Sequence, residues 1–335
     1  MHLIIKQQIM KTKRNLLFVL SLTLSSIMFG QVTEGEKNLR NLDTDSFQGW
    51  KKGGVMGLNL SQTSLTNWAS GGQNSFAVNG LFSVFANYKN ETTAWDNSLD
   101  LGYGLLKQGV NSDFMKTNDK FDFLSKYGRK AFDNVFYAAM LNFKTQMTEG
   151  KDYARDTAKI SNFLAPAYII GAIGMDYKPD NYFSVFLAPL TGKITLVNDK
   201  VLSNAGAFGV DPGTFDSFGT LIKEGKRSKS EFGGYIRVIY SRNDFKNEIL
   251  KNVSFTTKLD FFSNYLKNPQ NIDVNWETQL ALQVNKFITV NLNTHLIYDD
   301  DIKIAVDNDG DGITDVSGPR VQFKEILGVG VTYTF

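Results

Sequence analysis

From Gly54 onward, apolar and polar residues alternate with the two-residue period of a β-strand, and no stretch of helical period is long enough to compete. Trp95, Asn97, Leu99, Leu101, Tyr103 and Leu105 fall on one phase, and Asp96, Ser98, Asp100, Gly102 and Gly104 on the other. The same rule separates Val135, Tyr137, Ala139, Leu141 and Phe143 from Asn134, Asn142, Lys144 and Gln146. It separates Phe255, Thr257, Leu259 and Phe261 from Ser254, Thr256, Lys258 and Asp260. Ile272, Val274, Trp276, Thr278, Leu280 and Leu282 likewise oppose Asp273, Asn275, Glu277, Gln279 and Gln283, and Ile288, Val290, Leu292 and Leu296 oppose Thr289, Asn291, Asn293 and His295. Less regular segments lie near 54–64, 75–89, 118–127, 165–178, 183–197 and 230–241. With the segment that ends the chain, the pattern predicts about twelve strands, an even number as bacterial membrane barrels have.

The breaks sort by parity. Counting from the first strand, the odd ones are long (65–74, 106–117, 149–164, 198–229, 266–271 and 299–319) and the even ones short (90–93, 128–133, 179–181 and 285–286), with 242–252 the one exception. Long loops at one end and tight turns at the other mark a barrel crossing a membrane; a sandwich has no reason to sort its loops this way. Pro166 and Pro189 fall inside candidate strands, where a missing N–H weakens the assignment.

Energetics then fix the facing. In lipid every backbone polar group must be paired within the structure, so the strands must close. Turning Lys144 or Lys258 toward the bilayer centre would cost about 2–4 kcal/mol each. The apolar phase therefore faces lipid and the polar phase the interior. The predicted fold is all-β: a transmembrane antiparallel up-and-down barrel over residues 50–335. Tyr88, Trp95, Tyr137, Tyr177, Tyr240, Tyr265, Trp276, Tyr298, Tyr333 and Phe335 sit near strand ends, as interfacial girdle residues do.

Lys11, Lys13 and Arg14 precede an apolar run from Leu16 to Phe29, the layout of a secretory signal, and the run is too short for a membrane anchor. Residues 1–30 are expected to be a cleaved leader, with Met10 the better start, and residues 31–49 a periplasmic tail or partial plug. Removing 1–30 takes four cations and no acid and leaves the net charge at −2, which argues against a nucleic-acid partner. The absence of cysteine excludes disulfides, a thiol nucleophile and a thiolate zinc site.

The segment Arg320–Phe335 places Leu327, Val329, Val331, Tyr333 and Phe335 on one phase and Gly328, Gly330, Thr332 and Thr334 on the other. An aromatic terminal strand of this kind resembles the closing strand of bacterial outer-membrane barrels, which implies the barrel-assembly machinery as a partner, beside outer-membrane lipid and lipopolysaccharide. The stretches Gly57–Ser75 (GLNLSQTSLTNWASGGQNS), Trp95–Gly109 (WDNSLDLGYGLLKQG) and Gly318–Glu325 (GPRVQFKE) resemble the domain-of-unknown-function 3078 family of outer-membrane proteins of Bacteroidota-type bacteria. The likeness extends over most of the mature chain. It implies location and fold and assigns no activity.

The interior phase carries Asp96, Asp100, Asp122, Lys126, Lys144, Asp176, Arg237, Lys258, Asp260, Asp273, Glu277 and His295. A wall of one sign would suggest an ion-selective pore; a mixed wall suggests salt bridges across the barrel around a narrow water path. Phe85, Phe136, Tyr168, Tyr235, Phe262 and Phe287 share the phase and would fill space. His295 reads as a lumen histidine held by its neighbours rather than a catalytic base, since no serine sits in a nucleophile-elbow pattern. Lys226–Lys229 reads as a solvated charge run rather than a lipopolysaccharide site, and Trp68 as a turn anchor. The expected function is a narrow, non-enzymatic channel or transporter for small solutes; the alternative is a structural or assembly partner with a plugged lumen, and a lipid hydrolase has little support. No organic cofactor is expected.

Asp307, Asp309 and Asp311, followed by Gly312 and then Asp315, match the first part of a calcium loop, although Gly318 stands where an EF-hand has its bidentate glutamate. Weak Ca²⁺ binding that orders the last outer loop is expected. Titration calorimetry should give a Ca²⁺ heat that Asp309→Asn diminishes; equal heats from both proteins would remove the site.

Overall fold

The computed structural model describes residues 48–66, 72–109, 112–153, 158–180, 182–247, 250–285, 288–306 and 316–334. The candidate leader, Trp68, Phe287, the Asp307–Asp315 loop and Phe335 lie outside them. In chain order the strands are β1 (Gly49–Thr63), β2 (Ser75–Lys89), β3 (Thr93–Gln108), β4 (Met115–Phe132), β5 (Val135–Thr145), β6 (Gly150–Lys151), β7 (Lys159–Ser161), β8 (Ala167–Tyr177) and β9 (Phe183–Leu196). A short helix α1 (Lys200–Asn204) follows, then β10 (Thr214–Phe215), β11 (Leu221–Lys223), β12 (Ser228–Arg242), β13 (Val253–Asn264), β14 (Ile272–Gln283), β15 (Ile288–Tyr298), β16 (Lys303–Val306), β17 (Val316–Pro319) and β18 (Gln322–Thr334).

Twelve of these strands close into one antiparallel barrel, β1-β2-β3-β4-β5-β8-β9-β12-β13-β14-β15-β18 and back to β1. β6–β7, β10–β11 and β16–β17 are hairpins within the long loops. Apart from the one between β12 and β13, the even connections are short, as at Asp133–Asn134 between β4 and β5, and they share one end with the start of β1. Every barrel ladder but one joins strands consecutive around the chain. The exception is the seam of β1 with β18, paired among the described residues from Val55↔Thr334 to Leu58↔Val331, whereas β1 and β2 pair from Gly49↔Lys89 to Thr63↔Ser75.

The two phases separate as the cost of charge in lipid requires. Leu327 is 68% exposed and Ile173 61%, while Lys258 and Asp260 are each 6% exposed on the inner wall. Polar groups on the outer face satisfy one another: Trp95 Nε1 donates to Ser125 Oγ (3.0 Å), which donates to Asn97 Oδ1 (2.7 Å), and Trp276 Nε1 donates to Thr257 Oγ1 (2.8 Å). At the short-turn end Tyr88, Trp50, Trp95 and Tyr127 run ring to ring at 5.5–6.5 Å spacings.

The two prolines that weakened the strand assignments behave differently. Pro166 lies just ahead of β8. Pro189 lies inside β9 at a β-bulge, where the pairing of β9 with β8 and with β12 shifts by one residue. Pro189 and Leu190 are both exposed, and the inward phase passes from Ser184, Phe186 and Ala188 to Thr191, Lys193 and Thr195. This slip is why the alternation over 183–197 looks irregular in the sequence. Backbone crowds around it: a Cβ on Gly174 would lie 1.9 Å from Leu187 O, and one on Gly233 1.9 Å from Ser263 O. Gly174→Ala must displace the β8–β9 ladder and is expected to cost about 1–3 kcal/mol, read as a lower unfolding midpoint in detergent, whereas Gly171→Ala, which meets open space, should be neutral.

Candidate functional site

The lumen is divided into three layers, each built from inward residues of neighbouring strands. At the short-turn mouth lies a cavity of about 410 Å³ that includes Lys51, Asp96, Asp100, Lys126, Lys178 and, at its inner end, Asp122, Arg237 and Lys258. Lys178 Nζ bridges Asp96 (3.1 Å) and Asp176 (3.4 Å), and Lys126 Nζ donates to Asp176 Oδ2 at 2.6 Å. Leu124, Phe136 and Ile239 give the cavity an apolar side.

The middle layer is a septum of side chains. Arg237 clamps Asp260 through Nε (2.7 Å) and Nη2 (2.9 Å), a bidentate pair. Glu277 gathers cations from three strands: Lys258 at 3.1 Å, Lys120 at 3.4 Å and Lys144 at 3.9 Å. Asp122 takes Asn142 Nδ2 at 2.7 Å, with Lys144 and Lys120 at 3.7 and 3.8 Å. Since β4 and β5 lie across the ring from β14, these contacts cross the barrel. Met140, Phe186, Tyr235 and Phe262 pack beside them as a buried apolar cluster inside the lumen. His295 Nε2 donates to Asn275 Oδ1 (2.6 Å), so an amide holds the ring, and the Glu277 carboxylate stands 4.0 Å away.

Toward the long loops, Lys193 Nζ reaches Asp273 (2.6 Å), Asp299 (3.4 Å) and Glu231 (3.7 Å). Lys229 pairs with Glu231 at 3.0 Å and with Asp301. At the same end a vestibule of about 340 Å³ is bounded by Lys116, Asn118, Asp119, Gln146 and Lys324, with Phe208 of the longest loop at its edge. That loop is folded over a small apolar cluster of Ala165, Val197, Leu202 and Val210. Asp199 caps α1, accepting from the Val201 and Leu202 amides, and also holds Lys159 and Asn162. Burial raises the Asp199 carboxyl, but the hydrogen bonds from Asn162, Lys159 and Leu202 prevail and hold it down at about 2. The stability this contributes is present above the ordinary carboxylate range and is lost as pH falls toward 2.

Of the residues singled out in the sequence, Asp96 and Asp100 fall in the inner cavity, with Lys258 and Arg237 at its end, and Lys144, Asp260, Glu277 and His295 in or beside the septum; Asp273 belongs to the outer cluster. Lys226 is tied to Asp211 (2.6 Å) and Arg227 lies 3.9 Å from Glu224, so the loop's own acids occupy that charge run. Asp307, Asp309, Asp311 and Asp315 lie outside the described residues. Lys120, Lys193, Glu231 and Phe186 went unremarked in the sequence. Lys120 shares the inward phase of Asp122 and was open to the same reasoning, whereas the Pro189 bulge puts Phe186 and Lys193 on opposite parities.

Arg237→Met strands Asp260 in the septum and is expected to cost about 3–5 kcal/mol, while Arg237→Met combined with Asp260→Leu should recover most of it. Unfolding midpoints of the two variants in detergent check this; equal losses would mean that the pair is not coupled.

Residues 60–150 match the family model described as "Protein of unknown function (DUF3078)", a stretch that takes in the second of the three resembling segments and most of the first, but not the third. No curated protein matches the chain by sequence. Among solved structures, the chain is similar to the COG4313 outer membrane channel from Pseudomonas putida F1, with 10% identity, 88% of this chain and 98% of that chain covered, and a TM-score of 0.38. It is also similar to the TodX monoaromatic hydrocarbon channel in a deletion mutant (11% identity, 88% and 92% covered, TM-score 0.32). A third similar structure is the translocator domain of autotransporter NalP from Neisseria meningitidis (9% identity, 87% and 90% covered, TM-score 0.29).

Proposed function

We propose that the protein sits in an outer membrane and passes small solutes along a narrow lumen whose constriction is made of side chains. One observation carries this reading: cavities of about 410 and 340 Å³ approach the septum from the two ends, and the groups between them are rotatable lysine, arginine and carboxylate side chains from barrel strands. A layer of side chains can part by exchanging partners, and the mixed signs let each ion re-pair as it moves. A ring of twelve strands lies between filled eight-stranded barrels and open sixteen-stranded porins, which fits a small aperture. The outer ends of the strands would meet lipopolysaccharide, and the terminal strand would be the handle for the assembly machinery. No chemistry is assigned to His295, whose partners account for it.

The second reading, a structural or assembly partner in the envelope, draws on the same crossed ion pairs, which also serve to fill and brace a lumen. Planar-bilayer recording separates the two. The wild type should show a small, discrete conductance, and Lys120→Ala with Lys144→Ala, which removes two cations from the septum, should enlarge it. A sealed bilayer containing correctly folded protein, unchanged by the double variant, would overturn the channel reading in favour of the envelope partner.

A further inference from the structure

We infer that the cavity at the short-turn mouth binds short peptides with free termini, the peptide ammonium on Asp100 and its carboxylate on Lys126 and Lys178. The inference deepens the channel reading by naming its solute class, and rests on that reading for transport though not for binding.

The cavity has two electrostatically different ends. At the deep end Asp100 stands directly opposite Asp122 in the β3–β4 ladder. Like charges facing each other across a ladder repel. Asp122 is compensated by Asn142, Lys144 and Lys120. Asp100 accepts one hydrogen bond, from Ser83 Oγ at 2.7 Å, and has no ion pair among the described residues. It is the place in this cavity where an added cation gains most.

Nearer the mouth, Asp96 faces Lys126 in the same ladder, and Lys178 reaches in from the end of β8. An ammonium group has three donors, and Lys178 directs two of them at Asp96 and Asp176, so a third remains to be offered to an entering carboxylate. Further lysines, Lys51, Lys89 and Lys130, border the opening; Glu91 lies there too, and Asp133 pairs with Lys130 at 3.1 Å. A simple anion would be drawn to this end and repelled by Asp100, since Arg237 and Lys258 at the deep end are paired with Asp260 and Glu277; a simple cation would meet the lysines first. A zwitterion gains at both ends.

Spacing selects the length. Asp96 and Asp100 are four residues apart on β3, about 13 Å along the strand. An extended tripeptide spans about 10 Å, and the lysine side chains cover the remainder. Leu124, Phe136 and Ile239 offer an apolar side for the peptide's own side chains, while Asn87, Ser98 and Ser184 offer partners for its backbone.

The test is calorimetry on the full-length protein in detergent micelles with three probes of one backbone: trialanine, N-acetyl-trialanine and trialanine amide. Trialanine should bind about tenfold more tightly than either blocked form, the worth of one charged hydrogen bond. Asp100→Asn should bring trialanine down to the level of the N-acetyl form and leave the N-acetyl form unchanged. Lys178→Met should weaken trialanine and the N-acetyl form and spare the amide. Heat-modifiable gel mobility shows that each variant is folded. Equal binding of all three probes, tighter binding of the N-acetyl form, or no heat from trialanine at millimolar concentration would each overturn the inference. Liposome swelling with trialanine examines the channel reading separately: binding without swelling sinks transport and leaves the site, whereas swelling without discrimination among the probes in calorimetry sinks the site and leaves transport.

Discussion

A backbone amide in hydrocarbon has no water to turn to, and everything else in this molecule follows from that. The antiparallel ring of twelve strands gives each strand a neighbour on both sides, and the side-chain arrangement then has little freedom. Alternate residues must face out, those must be apolar, and whatever charge the chain carries is forced inward. The septum is thus a consequence of closure as much as a device: charges confined to a narrow interior must find partners across it, and Glu277 finds them on β4, β5 and β13.

The inner wall shows how cheaply this is managed. Most septum charges have a partner of opposite sign within hydrogen-bonding reach, so their desolvation is offset locally. Aromatic and sulfur-bearing groups take the space the ions leave: Lys193 lies 5.1 Å from the Phe262 ring centre, and Arg237 Nη1 points toward the Met140 sulfur. The outer wall is managed just as locally, by handing a hydrogen from Trp95 to Ser125 and from Ser125 to Asn97.

Much of this was legible in the chain because the period of a strand is an integer. Lys258 and Asp260 could be assigned to the interior from parity alone, as could Asp96, Asp100 and Glu277, and loop length by parity gave the two ends of the barrel. Parity fails where a strand slips. The bulge at Pro189 exchanges the faces of β9 partway along, and an alternation rule with no means of counting the extra residue puts either Phe186 or Lys193 on the wrong side. Distance across the lumen was not legible either: that Lys144 and Lys120 reach Glu277, while Asp273 answers to Lys193 instead, depends on tilt and stagger, which no local pattern records. The resemblance seen in three segments was likewise broader than the match, which stops at residue 150.

The seam between β1 and β18 has a consequence for how the cylinder comes into being. Each other ladder joins consecutive barrel strands, separated at most by one long loop, so less entropy is lost in bringing them into contact than at the seam. Val55 and Thr334 stand at opposite extremes of the barrel sequence, and the ladder they begin is short. A curved, unfinished ribbon of hairpins should therefore form first, with its two margins zipping together last, and the same two margins are where a helper that templates strand pairing would have to work.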